Sequence, residues 1–111
     1  MSKRNDVLLL QDIYDAGAKI LKYTDGLSFE DFINDEKTID AVIRNFAIIG
    51  EASSRLSEQV TVRYMEVDWR RMKSFRNLLI HHYFGVNHKI IYSVIKEYLP
   101  AMLSSIKAII P

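Results

Sequence analysis

The segment from Arg76 to Tyr83, RNLLIHHY, places several chemically capable side chains on two turns of a predicted helix. Arginine offers a planar, permanently charged fork for a phosphate group. Histidine exchanges a proton near neutral pH, and asparagine orients a histidine or binds a phosphate oxygen. Arg76, Asn77 and His81 therefore suffice for metal-free RNA cleavage, in which a base takes the 2′-hydroxyl proton, the oxygen attacks the adjacent phosphorus and a cation stabilises the developing charge.

Each of these residues also has a structural interpretation. Arg76 can form a surface salt bridge, and His81 can complement the dipole at the end of a helix. His82 falls on the predicted core side, and Tyr83 suits the flank of an amphipathic helix. The three histidines, which include His88, lack the i, i+4 pair and the carboxylate partner of a typical metal site, so we expect neither a metal nor another cofactor.

The composition of the 111 residues predicts one folded domain, residues 1–111. Apolar residues make up 49%, whereas Gly and Pro number only 4 and 2. The formal charge of +1 neither requires nor excludes a nucleic acid partner. The absence of cysteine excludes thiolate catalysis, disulfides and cysteine-ligated zinc. We expect a cytoplasmic protein without membrane association, because no signal peptide pattern and no membrane-spanning apolar run is found.

Helical periodicity dominates the chain and predicts the all-α class. A first helix begins near Asn5 or Asp6 and carries Leu9, Leu10, Ile13, Gly17 and Ile20 inward. Ser28 caps a short second helix, SFEDFIND. Thr38 opens a long third helix, on which Gly50 allows close approach of a neighbouring backbone. Its core stripe comprises Ile39, Val42, Ile43, Phe46, Ile49, Gly50 and Ser53, with Leu56 a little further round.

Two further helices complete a predicted antiparallel bundle of four long helices and one short helix. The fourth runs from about Asp68 to Phe84. Asn87 caps the fifth, in which Pro100 is expected to kink or split the helix. The inward positions of the fifth helix are Ile90, Ile91, Val94, Ile95, Tyr98, Met102, Leu103 and Ile106.

The fourth helix has two apolar faces. Met72, Phe75, Leu79, His82 and Val86 face the core. Ile80 and Phe84 lie on the outward side together with Asn77 and His81, whereas Arg76 and Tyr83 share a flank. One small bundle cannot bury both faces, so we expect a homodimer formed through this helix.

Charged residues surround the predicted site. Arg70, Arg71 and Lys73 precede the motif and are candidate RNA-binding residues. On the outer face of the third helix, spacing favours an exposed ion pair between Glu51 and Arg55.

The order of residues resembles a known family. The motif of the HEPN superfamily, in its HepT-like toxin branch, resembles the spacing found here, which is Arg76, four residues, His81, one residue and Tyr83. Asn77, directly after the arginine, matches the polar residue usual there. The segment Tyr23 to Ser57, with IIGEA at Ile48 to Ala52, resembles the family's middle section. Trp69 before the motif and Leu99-Pro100 after it also fit.

This resemblance implies an all-helical homodimer with a metal-independent endoribonuclease site in the dimer cleft. It implies RNA, either tRNA or mRNA, as the substrate, and a toxin–antitoxin pair whose antitoxin is an MntA-type nucleotidyltransferase. In that branch the antitoxin silences the toxin by adding AMP to the motif tyrosine, here Tyr83. The alternative is a non-catalytic module that binds RNA or a nucleotide, or an accessory subunit of the nucleotidyltransferase.

Overall fold

The computed structural model describes residues 3–78 and 87–111, with side chains from residue 5 onward. Over these ranges the chain is an all-α bundle, as predicted. Its helices are α1 (Lys3–Thr24), α2 (Phe29–Ile33), α3 (Glu36–Arg55), α4 (Glu58–Arg63), α5 (Trp69–Ser74), α6 (His88–Ser93) and α7 (Leu99–Ile109). A 3₁₀ turn, Phe75–Asn77, extends α5, and a π-helical segment, Val94–Tyr98, joins α6 to α7.

Helices α1 and α3 pack against each other in antiparallel fashion. The carboxylate of Asp6, near the start of α1, accepts hydrogen bonds from the backbone N–H of Ser57 at 3.0 Å and from its hydroxyl at 2.7 Å. Ser57 follows the end of α3, so these bonds join the start of one helix to the end of the other. Helix α7 covers another side of α1, where Gly17 lies against the side chain of Leu103.

The core stripe predicted for α3 is confirmed. Ile39, Val42, Ile43, Phe46, Ile49, Gly50 and Ser53 are all buried, and Leu56 is half-buried. The helix begins at Glu36, two residues before the predicted opening at Thr38, and its cap is Asp35. Asp35 accepts hydrogen bonds from the Thr38 hydroxyl at 2.6 Å and from its backbone N–H at 3.0 Å, and these bonds lower the pKa of Asp35.

Local signals located other helix ends correctly. Ser28 and Asp31 form a capping box at the start of α2. The side chain of Asn87 accepts a hydrogen bond from the Lys89 backbone N–H at 2.8 Å. Helix α4 was not predicted, because it is short and has no buried residue that would give it an apolar stripe.

The C-terminal helical run differs from its prediction at Ile90, which was expected inward and is 60% exposed. Pro100, expected to kink or split the helix, is the second residue of α7, and the π-helical segment Val94–Tyr98 interrupts the α-helical run just before α7 begins. Since proline has no N–H to bond the preceding turn, a change in hydrogen-bond pattern just before it is expected.

The described part of the predicted fourth helix starts as expected, with Asp68 as the cap of α5. Trp69, Met72 and Phe75 are buried, and the Trp69 indole N–H donates to the Tyr64 carbonyl at 3.0 Å. The predictions for Leu79, Ile80, His82, Phe84 and Val86 lie outside the described residues. Within the described ranges, no helix is long and apolar enough to cross a membrane.

Candidate active site

Arg76 and Asn77 lie on the 3₁₀ turn that extends α5, and both side chains are exposed. The residue before them, Phe75, is buried and packs edge-on against Phe46 of α3, with ring centroids 4.9 Å apart. This contact fixes the orientation of the turn. Phe75 points into the core, and the two polar residues that follow it are turned away from the core. The outward direction predicted for Asn77 is thus confirmed, and Arg76, predicted on a flank, is also exposed.

Gly50 of α3 brings the backbone of the two elements together at Arg76. A methyl group added at Gly50 would lie 2.9 Å from the Arg76 Cβ and 3.0 Å from its Cα, and closer still to its backbone nitrogen. Only glycine fits this contact without a shift of the backbone. The predicted close approach at Gly50 is thus confirmed, and the neighbouring backbone is that of the candidate phosphate-binding arginine.

Helix α3 also contacts the guanidinium group of Arg76. Its Nη1 lies 3.8 Å from Oε2 of Glu51, and the two side chains are 53% and 60% exposed. The expected pairing of Glu51 with Arg55 is therefore wrong for the described residues, in which Glu51 pairs with Arg76. The turn after α5 extends over α3 and brings a cation from another helix within reach of the carboxylate.

His81 and Tyr83 lie outside the described residues. Their roles as proton acceptor and as AMP acceptor stay predictions, as does the meeting of Arg76 with His81. His88 is described at the start of α6, where it is half-buried.

The three candidate RNA-binding residues are exposed on α5, but they do not form one patch. Arg70 lines a concavity with Met65 and Asp68, whereas Arg71 faces α6 and the π-helical segment. Consecutive helical residues are separated by about 100°, which explains why neighbouring arginines reach different surfaces. Lys73 is exposed on the following turn.

A groove of about 560 Å³ opens between α5 and the chain from Asn87 to Tyr98. We call it the Arg71 groove. It is lined by Arg71, Asn87, Lys89, Ile90, Ser93, Val94, Glu97 and Tyr98. Sequence reasoning missed this groove, because its two cations belong to different helices and Tyr98 was assigned to the core. Only the packing of α5 against the C-terminal helical run brings them together.

The Arg71 guanidinium carbon lies 4.1 Å from the centroid of the Tyr98 ring, in the geometry of a cation–π contact. Burial raises the pKa of Tyr98, and the nearby Asp68 carboxylate adds to the increase, whereas Arg71 opposes it. The Tyr98 hydroxyl is therefore protonated at neutral pH and available as a hydrogen-bond donor.

Comparison with known proteins identifies the family. Residues 13–109 match the family described as Ribonuclease HepT-like. The chain belongs to this family. The resemblance based on the Arg76, His81 and Tyr83 spacing and on the flanking sequence is confirmed.

Curated relatives cover nearly the whole chain. A protein of Methanocaldococcus jannaschii, named as a candidate RNase, is 37% identical over 99% of this chain and 91% of its own length. A protein of Thermococcus cleftensis, named as a probable ribonuclease HepT, is 40% identical over 90% of this chain and 91% of its own length. No solved structure matches the chain.

Proposed function

We propose that this HepT-like protein is a metal-independent endoribonuclease that acts as the toxin of a toxin–antitoxin pair in the cytoplasm. The observation that carries the proposal is the placement of Arg76. Helix α3 holds its backbone at Gly50, and its guanidinium group is half exposed beside Glu51. Family membership and the names of the relatives, which describe ribonucleases, support an RNA substrate such as tRNA or mRNA.

In the proposed reaction, His81 accepts the proton of a ribose 2′-hydroxyl. The oxygen forms a bond to the adjacent phosphorus, and the bond from phosphorus to the 5′-oxygen of the next nucleotide breaks. The leaving oxygen takes up a proton, so the products are a 2′,3′-cyclic phosphate and a free 5′-hydroxyl. Arg76 binds the phosphate and stabilises its developing negative charge, and Asn77 assists by binding a phosphate oxygen or orienting His81.

Two copies of the chain are proposed to form the cleft. The predicted outward face of the motif helix is apolar around Asn77 and His81, and Ile48 on the outer face of α3 is 38% exposed. Association through these surfaces would bury them and bring two sets of Arg76 and His81 together.

The proposed antitoxin is an MntA-type nucleotidyltransferase that adds AMP to Tyr83. Seven residues separate Tyr83 from Arg76, close to two helical turns. An added AMP would put negative charge and bulk beside the phosphate-binding cation and thereby block RNA. Co-expression with the nucleotidyltransferase should add the mass of one or more AMP groups to the wild-type chain and none to Tyr83→Phe.

The nuclease proposal is tested by incubating the chain, purified without its partner, with tRNA and mRNA in EDTA. His81→Ala should lower the cleavage rate by about 10²- to 10⁴-fold, and Arg76→Ala by about 10²- to 10³-fold. Arg63→Ala is the matched control, because it removes an exposed arginine from α4. Its rate should equal that of the wild type.

Circular dichroism and sedimentation must show that each variant is folded and has the wild-type oligomeric state. Equal cleavage by all variants would mean that another site, or a contaminant, cuts the RNA. RNA binding without cleavage by the unmodified wild type would overturn the nuclease in favour of the non-catalytic binding module.

A further inference from the structure

We infer that the Arg71 groove binds a phosphodiester of the same single-stranded RNA other than the one that is cleaved, with Arg71 and Lys89 as its cations and Tyr98 as a hydroxyl donor. The inference rests on the proposed function, because it extends the RNA path beyond Arg76. It adds Lys89, Tyr98 and Asn87 to the RNA-binding residues. It also assigns Arg71 to an RNA-binding groove that its neighbour Arg70 does not line.

Arg71 is ordered before any ligand arrives. Its guanidinium group stacks on Tyr98 at 4.1 Å, which restricts a side chain that otherwise samples many rotamers. Stacking uses the face of the guanidinium plane and leaves the N–H groups along its edge free to donate. A phosphate in the groove can therefore be bound by two of these N–H groups at a small entropic cost.

The groove offers several donors that have no hydrogen-bond or ion-pair partner among the described residues. The ion pair found within 4 Å joins Glu51 and Arg76, so neither Arg71 nor Lys89 forms an ion pair with a described carboxylate. The half-buried Tyr98 hydroxyl makes no hydrogen bond to any described residue either. The side-chain oxygen of Asn87 accepts a hydrogen bond from the Lys89 backbone N–H, and its side-chain amide group donates none to a described residue.

The carboxylates nearby are partly engaged. Oε2 of Glu97 accepts a hydrogen bond from the Ser93 hydroxyl at 3.0 Å, and Oδ1 of Asp68 accepts from the Arg71 backbone at 3.1 Å. Of the charged side chains that line the groove, Arg71 and Lys89 are positive and Glu97 is negative, so the lining carries a formal charge of +1, and Asp68 lies outside it. The site thus suits one phosphodiester charge, flanked by the exposed Ile90 as an apolar contact for a ribose or base.

The groove is coupled to the candidate active site through Phe75. The Phe75 ring lies 6.1 Å from the Tyr98 ring and 4.9 Å from the Phe46 ring, both edge-on. Arg76 follows Phe75 directly, and Arg71 precedes Arg76 by five residues, about 7.5 Å along a helix axis and about 140° around it. The two arginines therefore reach different sides of α5, so one RNA strand that contacts both must follow the surface of this helix and place more distant phosphates at Arg71 and Arg76.

The test compares two double variants that each remove an arginine and a lysine. Arg71→Ala/Lys89→Ala alters the groove. Arg63→Ala/Lys107→Ala is the control, because Arg63 also lies over a tyrosine ring, 5.4 Å from the centroid of Tyr64, and Lys107 is exposed on α7. The probe for binding is a labelled, 2′-O-methylated single-stranded RNA of about ten nucleotides, which cannot be cleaved by 2′-hydroxyl attack.

We expect the groove variant to bind this RNA about tenfold more weakly at low salt, and the control to bind like the wild type. The slope of log K against log salt should become shallower by about 0.7 to 1, as expected for the loss of one neutralised phosphate. Tyr98→Phe, which keeps the ring that orders Arg71, should show a smaller loss of binding.

The outcomes separate the two proposals. Cleavage by the wild type together with equal binding by both double variants would overturn the groove and leave the nuclease in place. No cleavage by the wild type, with the difference in salt slope present, would overturn the nuclease and support the groove as an RNA site. A groove variant that binds RNA normally but loses affinity for the nucleotidyltransferase would assign the groove to the protein partner and overturn the inference.

Discussion

The guanidinium group of Arg76 has two alternative anionic partners: the carboxylate of Glu51 in the free protein, and a phosphate group in the proposed complex. The pair at 3.8 Å is exposed, and exposed pairs of this kind contribute no more than about 1 kcal/mol. Glu51 therefore does little for the stability of the fold. Its larger effect should be on the substrate, because a phosphate entering the site competes with the carboxylate for the same guanidinium group.

Replacing Glu51 by Gln should consequently strengthen substrate binding. The change keeps the size of the side chain and removes the competing charge, so KM for RNA should fall by about two- to fivefold at low salt. The effect should diminish as salt is raised. Steady-state cleavage of an oligonucleotide at several salt concentrations measures it.

Glu36→Gln is the matched control, since Glu36 is an exposed carboxylate at the opposite end of α3. It should leave KM unchanged. If Glu51→Gln instead raised KM, Glu51 would act by holding Arg76 in position, and the competition described here would be wrong.

The contact between α3 and the turn after α5 determines where Arg76 lies. Phe46 and Gly50 are one helical turn apart on the buried face of α3, and they meet Phe75 and the Arg76 backbone respectively. The first contact is an aromatic pair and the second is a backbone approach that tolerates no side chain. Together these two contacts fix the position of the turn along α3.

Gly50→Ala should therefore reduce cleavage by about 10- to 100-fold, because the added methyl group displaces the Arg76 backbone. The free energy of unfolding should fall by no more than about 2 kcal/mol. The cost of overpacking is about 1–3 kcal/mol, and the higher helix propensity of alanine offsets about 1 kcal/mol of it. Cleavage rates and urea unfolding measure the two effects separately.

Gly17→Ala is the comparison for this prediction. Gly17 is also a buried helical glycine, but the atoms nearest to its added methyl group belong to the side chain of Leu103, which can shift. Its cleavage rate should stay within about twofold of the wild type. Equal losses of cleavage in both variants would indicate general damage to the core rather than displacement of Arg76.

The helices that could be predicted from the sequence are those with a local signal. The stripe of α3 runs from Ile39 to Ser53, and Ser28, Asp68 and Asn87 are side chains that cap helices. Helix α4 has six residues and buries none of them, so neither periodicity nor burial marks it. The start of α3 was misplaced because Asp35 and Thr38 are both good caps, and the bond between them uses Asp35 as the acceptor.

For the candidate site, the features that could be predicted from the sequence are those that depend on a single helix. Spacing within one helix indicated that Phe75 would face the core, that Asn77 would point away from it and that Arg76 would lie on a flank. The pairing of Arg76 with Glu51 and the approach of Lys89 to Arg71 depend on how separate helices pack, which a helical wheel does not describe. The glycine of IIGEA was an intermediate case, because a buried glycine predicts a close contact without naming the partner.

Across the whole molecule, Asp6 joins the first helix to the end of α3. It is 4% exposed, and both of its carboxylate oxygens accept hydrogen bonds from Ser57. Asp6→Ala would leave the Ser57 N–H and hydroxyl without their partner. We expect the free energy of unfolding to fall by about 1–3 kcal/mol, measured by urea unfolding.

Asp12→Ala, an exposed carboxylate on the same helix, should change the free energy of unfolding by no more than about 0.5 kcal/mol. Ser57→Ala combined with Asp6→Ala should cost less than the sum of the two single changes, because both remove the same interaction. If the two losses in free energy of unfolding simply added, the two side chains would act independently, and the hydrogen bonds between Asp6 and Ser57 would not join α1 to the end of α3.

The fluorescence of the buried Trp69 indole can report whether the segment that carries Arg76 is packed against the rest of the protein. Trp69 is the chain's single tryptophan, it is 7% exposed, and it lies on α5, the helix that leads to Arg76. Its N–H donates to the carbonyl of Tyr64 at the end of α4. Intrinsic fluorescence excited at the red edge of the absorption band therefore comes from this helix alone, whereas circular dichroism averages over the bundle. A red shift of the emission that precedes the loss of ellipticity would show the arginine-bearing segment undocking before the remaining helices melt.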